Sequence, residues 1–179
     1  MPKHLKKLTE EILHQNHWWT YKHDTYEKPN GEVGDYFYGE TPGMAIIVPV
    51  MTDGSILLTL QHRYLEDKQS IEFPGGGTQK GQTPLESAQR ELFEETGCIA
   101  KEYIKMGSFQ PCNGMMKDVC HVFLAHVIEQ KQAQPDDTEE FELLYRLPEE
   151  LDEMIRKNEI WDGETMAAWA LVHHYFLHQ

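Results

Sequence analysis

Glu91, Glu94 and Glu95 lie within five positions of one another in the stretch EFPGGGTQKGQTPLESAQRELFEETGC, residues 72–98. On a helix they fan over an arc beside the apolar stripe of Leu85, Ala88 and Leu92. Like charges at spacings of three and four cost a helix roughly 0.2–0.5 kcal/mol per pair, a penalty that a bound cation removes. Hard oxygen ligands of this kind suit Mg²⁺ or Mn²⁺, and Mg²⁺ is usually held by a few carboxylates while substrate phosphates complete its octahedron. A glutamate run by itself more often reads as a solvated helix face. What precedes it favours the metal reading. Gly75, Gly76 and Gly77 follow a short strand expected over Ser70–Phe73, and they let the backbone approach a metal or phosphate with no Cβ in the way.

The helix has its own start and stop signals. Thr83 is a capping residue, Pro84 suits the first helical position, Glu86 completes a Thr-x-x-Glu capping box, and Gly97 offers a left-handed end.

Gly76 to Cys98 resembles the Nudix box, Gly-x5-Glu-x7-Arg-Glu-U-x-Glu-Glu-x-Gly-U with U a bulky apolar residue, and Gly76, Arg90, Glu91, Leu92, Glu94, Glu95, Gly97 and Cys98 fall in register. One position departs: Gln82 stands where the pattern has its first glutamate, which in the family mainly braces the box arginine. Glu86, four residues before Arg90, is placed to pair with that guanidinium instead. The resemblance implies that Glu91, Glu94, Glu95 and a backbone carbonyl near Gly75 hold Mg²⁺ or Mn²⁺, with Glu91 and Glu95 catalytic.

The likeness extends along most of the chain. Gln61, His62, Arg63 and Tyr64 partly match the RQYRY-like run of sugar-nucleotide members, which makes Arg63 a fork for a diphosphate and, with Glu72, a substrate-binding candidate. Pro111, Gly114 and Asp118 resemble the proline, glycine and acid that follow the box in ADP-ribose and related sugar-nucleotide pyrophosphatases, and Asp118 is placed to aid the substrate or a metal. A mobile glutamate in the acidic segment QPDDTEEFELLYRLP is implied by the resemblance as general base or extra metal ligand, with Glu140 the candidate and Glu139 the alternative. For each of these residues the resemblance must be weighed against an ordinary surface ion pair or loop carboxylate. The ending EIWDGETMAAWAL also looks like that of sugar-nucleotide Nudix hydrolases.

The elements that position these residues can be read in order. Leu5–Gln15 is expected to be a short amphipathic helix, because Leu5, Leu8 and Ile12 share one face. Trp18–Tyr26 and Val33–Tyr38 read as a hairpin turning at Asn30-Gly31. Its surplus of aromatics suggests cross-strand packing or a dimer contact, with Trp19 the candidate to stack on a nucleobase. Met44–Val50 and Ser55–Leu60 are two further strands, with Pro49 suggesting an edge or a bulge. Tyr103–Phe109, Val119–Val127 and Phe141–Tyr145 are strand-like, and Pro148–Lys157 and Glu164–His178 helical. Ten histidines tempt a metal reading, but His173, His174 and His178 on a terminal helix read as surface residues.

These elements imply an α+β layer structure, which the resemblance makes a Nudix-type α/β/α sandwich with a mixed sheet, residues 41–179. An N-terminal antiparallel β-hairpin extension, residues 1–40, is expected from the resemblance to serve a homodimer, as in related pyrophosphatases. The 179 residues suffice for a sizeable core. A formal net charge of -14 argues against nucleic acid as a partner, since a phosphate backbone needs clustered lysines and arginines. Cys98, Cys112 and Cys120 have no paired spacing, the N-terminus lacks a signal-peptide core and no apolar run could span a bilayer, so a cytoplasmic protein without a membrane partner is expected. The function so implied is metal-dependent hydrolysis of a nucleoside diphosphate sugar, such as ADP-ribose or GDP-mannose, to a nucleoside monophosphate and a sugar phosphate. The alternatives are a Nudix hydrolase of nucleoside triphosphates or dinucleoside polyphosphates, and a nucleotide-binding sensor whose hydrolysis has weakened.

Overall fold

The structure, a computed structural model, describes residues 4–135 and 140–177. Along the chain the strands are β1 Lys6–Gln15, β2 Thr20–Glu27, β3 Val33–Glu40, β4 Met44–Val50, β5 Ile56–Arg63, β6 Lys68–Glu72, β7 Gly75–Gly77, β8 Cys98–Phe109, β9 Met116–Lys117, β10 Cys120–Gln130 and β11 Glu142–Arg146. The helices are α1 Pro84–Thr96, α2 Pro148–Arg156 and α3 Gly163–Val172, and a 3₁₀ turn follows at His173–Tyr175. The chain divides into two compact units, Met1–Pro42 with Gln110–Val119, and Gly43–Phe109 with Cys120–Gln179.

The first unit is a four-stranded sheet in the order β1-β2-β3-β9. The hairpin expected from the aromatic pattern is present as β2 and β3, and Gly31 turns it at a φ of +87°. The helix expected over Leu5–Gln15 is instead strand β1. Every residue of that strand is exposed, Leu8 and Ile12 included, so the helical stripe has no core to face. The backbone groups of this segment are satisfied by an antiparallel ladder to β2, from Lys6 opposite Glu27 to Gln15 opposite Thr20. On one face Lys22 bridges Glu10 and Glu40, and Lys117 also pairs with Glu40.

The second unit is a seven-stranded mixed sheet. Its main order is β11-β5-β4-β10-β8, β6 pairs with β5, β7 pairs with β4, and the β4–β10 ladder is parallel. Successive residues of β4 face opposite ways, as the two-residue period of a strand requires. Ala45 and Ile47 join Leu57, Phe123, and Ala88 and Leu92 of α1 in one core. Ile46 and Val48 join Ile56, Leu58, Leu151 of α2, and Trp169 and Val172 of α3 in the other. The sheet is thus sandwiched, with the box helix on one face and the C-terminal helices on the other. Leu85, expected in the core, is 40% exposed in the first turn of α1. Pro49 lies in a central strand, not at an edge. It pairs with Ala125 on one side, and on the other it falls between the stretch that β7 covers and the single Val50–Ile56 pair to β5, where its missing N–H deprives no ladder.

The ends of α1 follow their local signals. The Thr83 hydroxyl accepts from the Glu86 N–H at 3.2 Å, and the Glu86 carboxylate accepts from the Thr83 N–H at 2.7 Å. Thr83→Ala removes the first of these bonds and should lower stability by about 1 kcal/mol, a fall in Tm of about 2–4 °C in a chain this size, read by thermal unfolding. An unchanged Tm would deny the cap its role. The terminal helix expected to run to His178 ends earlier, at Val172 with the 3₁₀ turn beyond, and His178 lies outside the described residues.

Candidate active site

The three glycines form β7, which pairs antiparallel with β4: Gly77 opposite Met44, Gly76 opposite Ala45 and Gly75 opposite Ile46. This fixes the turn against the middle of the sheet. Helix α1 packs on the same sheet through Ala88 and Leu92, and so carries Glu91 and Glu95 under the glycines. Both carboxylates are buried, at 9% and 5% exposure. The Gly75 N–H donates to Glu95 Oε2 at 3.2 Å. A Cβ at Gly76 would lie 2.5 Å from Glu91 Oε1 and 2.7 Å from its carboxyl carbon. Two acids one helical turn apart therefore meet one glycine strand, and Gly76 is glycine because the Glu91 carboxylate occupies the space of a side chain.

Gly76→Ala should thus push Glu91 aside while leaving the two cores intact. If Glu91 acts at the reacting centre, the expected result is a loss of turnover of about 100-fold, the effect of misplacing such a group by about 1 Å. Turnover assays beside a thermal melt would check it, and turnover within threefold of the parent protein would overturn it.

Arg90 supplies the counter-charge. Its Nη1 donates to Glu94 Oε2 at 2.7 Å, and its Nη2 donates to Glu91 Oε1 at 2.6 Å and to the Gly77 carbonyl at 3.0 Å. Burial works against the charge of Arg90, but Glu91 and Glu94 outweigh it and hold the guanidinium above its usual range. Glu86 does not pair with Arg90 as anticipated, because the capping box holds it at Thr83. Gln82 does not reach Arg90 either. Its Oε1 accepts from the hydroxyl of Ser87, which is fully buried, so it ties the 78–82 loop to α1, and the buried Nε of Arg90 has no hydrogen-bond partner among the described residues.

Glu94 faces Arg90 while Glu91 and Glu95 meet the glycines, and among the described residues no three acid, histidine or cysteine side chains are gathered closely enough to grip a metal ion as they stand. The donor chemistry nevertheless fits a hard divalent cation, because the carboxylates of Glu91 and Glu95 lie against the glycine backbone.

Arg63 and Glu72, singled out separately, meet each other. Nε of Arg63 donates to Glu72 Oε1 at 2.8 Å and Nη2 donates to Oε2, a side-on bidentate pair that raises the Arg63 pKa. Glu72 is 5% exposed, whereas about half of the Arg63 side chain faces solvent. Sequence reasoning gave two residues here no role of their own. Gln61 donates from Nε2 to Glu72 Oε2 at 3.3 Å, and the buried Thr165 hydroxyl of α3 accepts from the Phe73 N–H at 3.2 Å, which anchors the segment leading into the glycines. Strand parity was the available signal for Gln61. It shares a face with Thr59 and Arg63, opposite Ser70, Glu72 and Lys68.

The remaining candidates are placed individually. Asp118, in the first unit, accepts from the Thr41 hydroxyl at 2.7 Å. Trp19, in the same unit, is 39% exposed and packs edge-on to Tyr21. Glu140 is exposed just before β11, and Glu139 lies outside the described residues. The three cysteines are free, and burial pushes the Cys98 thiol up. No described helix is long and apolar enough to cross a membrane.

A mixed sheet between helices, with a glycine strand and buried helical carboxylates converging on it, is an arrangement suited to the metal-assisted hydrolysis of phosphorus-containing anhydrides. The family model of the NUDIX domain matches residues 39–169, and the chain belongs to that family. It is 32% identical over 145 residues to an ADP-ribose pyrophosphatase of Bacillus subtilis (strain 168), covering 79% of this chain and 78% of that protein. It is 28% identical over 147 residues to a methanol dehydrogenase activator of Bacillus methanolicus, covering 81% of this chain and 80% of that one. The crystal structure of an ADP compounds hydrolase superposes with a TM-score of 0.83 at 17% identity, covering 97% of this chain and 94% of the other, a likeness of fold.

Proposed function

We propose that the protein is a metal-dependent pyrophosphatase of nucleoside diphosphate sugars, ADP-ribose and GDP-mannose being the leading substrates, that yields a nucleoside monophosphate and a sugar phosphate. The observation that carries this reading is the meeting of buried Glu91 and Glu95 with the Gly75–Gly76 backbone. The ADP-ribose pyrophosphatase relative supports the substrate class.

Glu91, Glu94, Glu95 and the Gly75 carbonyl would hold Mg²⁺, or Mn²⁺ in its place. Such a cation neutralises a diphosphate, polarises the attacked phosphorus and lowers the pKa of an attacking water. The chain supplies the rest. Arg63 offers its solvent-facing edge to a diphosphate oxygen while Glu72 holds the other edge. Glu140 takes the proton of the water as the anhydride P–O bond breaks, and the leaving phosphate departs with the bridging oxygen. In the first unit, Asp118 and Trp19 remain the candidates for binding substrate, Trp19 by stacking on a base. Positioning and charge suffice for this chemistry, so no covalent nucleophile is needed. The first unit serves a homodimer.

The test is product analysis by chromatography on ADP-ribose, GDP-mannose, UDP-glucose, NADH, diadenosine polyphosphates and nucleoside triphosphates with Mg²⁺. Monophosphate and sugar phosphate formed selectively from the sugar nucleotides, and lost on chelation, support the reading. Turnover confined to triphosphates or dinucleotides would keep the site and overturn the substrate. Binding without turnover in saturating Mg²⁺ would favour a nucleotide sensor, and Gln82→Glu would then be the first reversion.

A further inference from the structure

The Arg63–Glu72 pair has a geometry that assigns a role to a third residue. A guanidinium presents five N–H donors along two usable edges, a side-on edge of Nε and one Nη, and an end-on edge of the two Nη nitrogens. Glu72 takes the side-on edge of Arg63, through Nε and Nη2. Nη1 has no hydrogen-bond partner among the described residues, and half of the side chain is exposed. The end-on edge is therefore left without a hydrogen bond among the described residues, with the charges of Asp162 and Glu164 also favouring the guanidinium, and that edge can make the parallel pair of bonds to a phosphate.

The carboxylate that sets this orientation is itself held. Glu72 is buried at 5% exposure, and Gln61 donates to the oxygen that also receives Nη2. Gln61 stands two residues before Arg63 on the same face of β5, and Ser70, opposite it on β6, is fully buried. A neutral amide suits this position. An acid there would repel Glu72, and an apolar side chain would leave one oxygen of a buried carboxylate to Arg63 alone.

We propose that Gln61 and Glu72 are positioning residues that clamp the side-on edge of Arg63, so that its end-on edge is pre-aimed at the internal diphosphate of the substrate. Glu72 thus works through Arg63 and does not touch the substrate. The inference rests on the diphosphate reading above. An arginine aimed in advance loses less rotamer freedom on binding, so the clamp acts on affinity more than on the chemical step.

The test is a double-mutant cycle in steady-state kinetics on ADP-ribose with Mg²⁺, using Gln61→Leu, Arg63→Lys and both together. Gln61→Leu should raise KM about tenfold with kcat held within about twofold, because it removes orientation and leaves the metal acids untouched. Arg63→Lys should raise KM further, since an ammonium has no second edge to present. With lysine at 63, adding Gln61→Leu should change KM by less than about twofold, because the group it orients is gone. A packing role would instead multiply the two effects or lower Tm without moving KM, and either outcome overturns the proposal. Should Gln61→Leu fail to fold, Gln61→Met removes the amide in a more pliant shape. The parent protein, assayed first on the full panel, separates the two readings. If it cleaves triphosphates alone, the sugar-nucleotide reading falls and the same cycle is scored on KM for the triphosphate. If it binds without turnover, the cycle is scored on Kd for ADP-ribose by calorimetry.

Discussion

Glu95→Gln should abolish measurable turnover, a loss of about 10²–10³-fold or more in kcat, while the melting temperature stays level or rises. The two halves of this result have separate causes. Glutamine has the shape of glutamate, and its carbonyl oxygen can still accept the Gly75 N–H that Glu95 Oε2 now takes at 3.2 Å, so the glycine strand keeps its anchor. What disappears is one negative charge. Glu95 is 5% exposed and sits one helical turn from Glu91, itself 9% exposed. Neutralising one of two neighbouring buried acids relieves repulsion and desolvation in the protein by itself. The same charge is what a divalent cation needs, and an amide oxygen is a far weaker ligand for Mg²⁺. Activity and stability should therefore move apart, which separates a catalytic acid from a structural one. Kinetics with saturating Mg²⁺ beside a thermal melt reads both, and a variant retaining a tenth of parental kcat would remove Glu95 from the metal site.

Gly97→Ala should produce the largest stability loss of any single substitution considered, about 3 kcal/mol or more. Gly97 ends α1 at a φ of +70°, with its N–H bonded to the Phe93 carbonyl at 2.8 Å. An alanine there bears backbone strain of about 1 kcal/mol from the left-handed conformation alone. Steric overlap costs more. The added Cβ would collide with the Lys131 carbonyl, a backbone group with no rotamer to yield. That segment is bound on both sides of the cap, through the Lys131 N–H to the Gly97 carbonyl at 2.9 Å and the Gln134 N–H to the Glu94 carbonyl at 2.8 Å. Relieving the clash must loosen the end of the helix that carries Glu94 and Glu95, so activity should fall with stability. Chemical denaturation measures the loss, and a value under 1 kcal/mol would show that the cap tolerates a side chain. Gly97→Asn, which accepts positive φ but keeps the Cβ, would isolate the steric part.

The box helix was legible because its information is local. Thr83, Pro84, Glu86 and Gly97 lie within a turn of the ends they define, and the structure places the caps where these residues stand. Strand β4 was legible as a short unbroken apolar run, Met44–Val50 to the residue, which suits a strand buried on both faces. The carboxylates were found from type and spacing, and the family pattern that frames them is matched by a domain covering residues 39–169.

What the chain order alone determined is therefore the identity of the fold and the composition of its acidic centre, since capping, strand period and metal-type ligands are properties of neighbours in sequence. Tertiary structure decided the partners. The Leu5–Gln15 segment carries helical periodicity yet forms β1, because a stripe gains nothing without a core and a neighbouring strand offers a full ladder. Glu86 serves the helix cap and not Arg90, whose counter-charges come from Glu91 and Glu94. Arg63 and Glu72, nine residues apart, become one clamp with Gln61 only because β5 and β6 pair in a register that puts all three on one face. Register and packing depend on contacts between distant residues, and those contacts exist only once the whole sheet has formed.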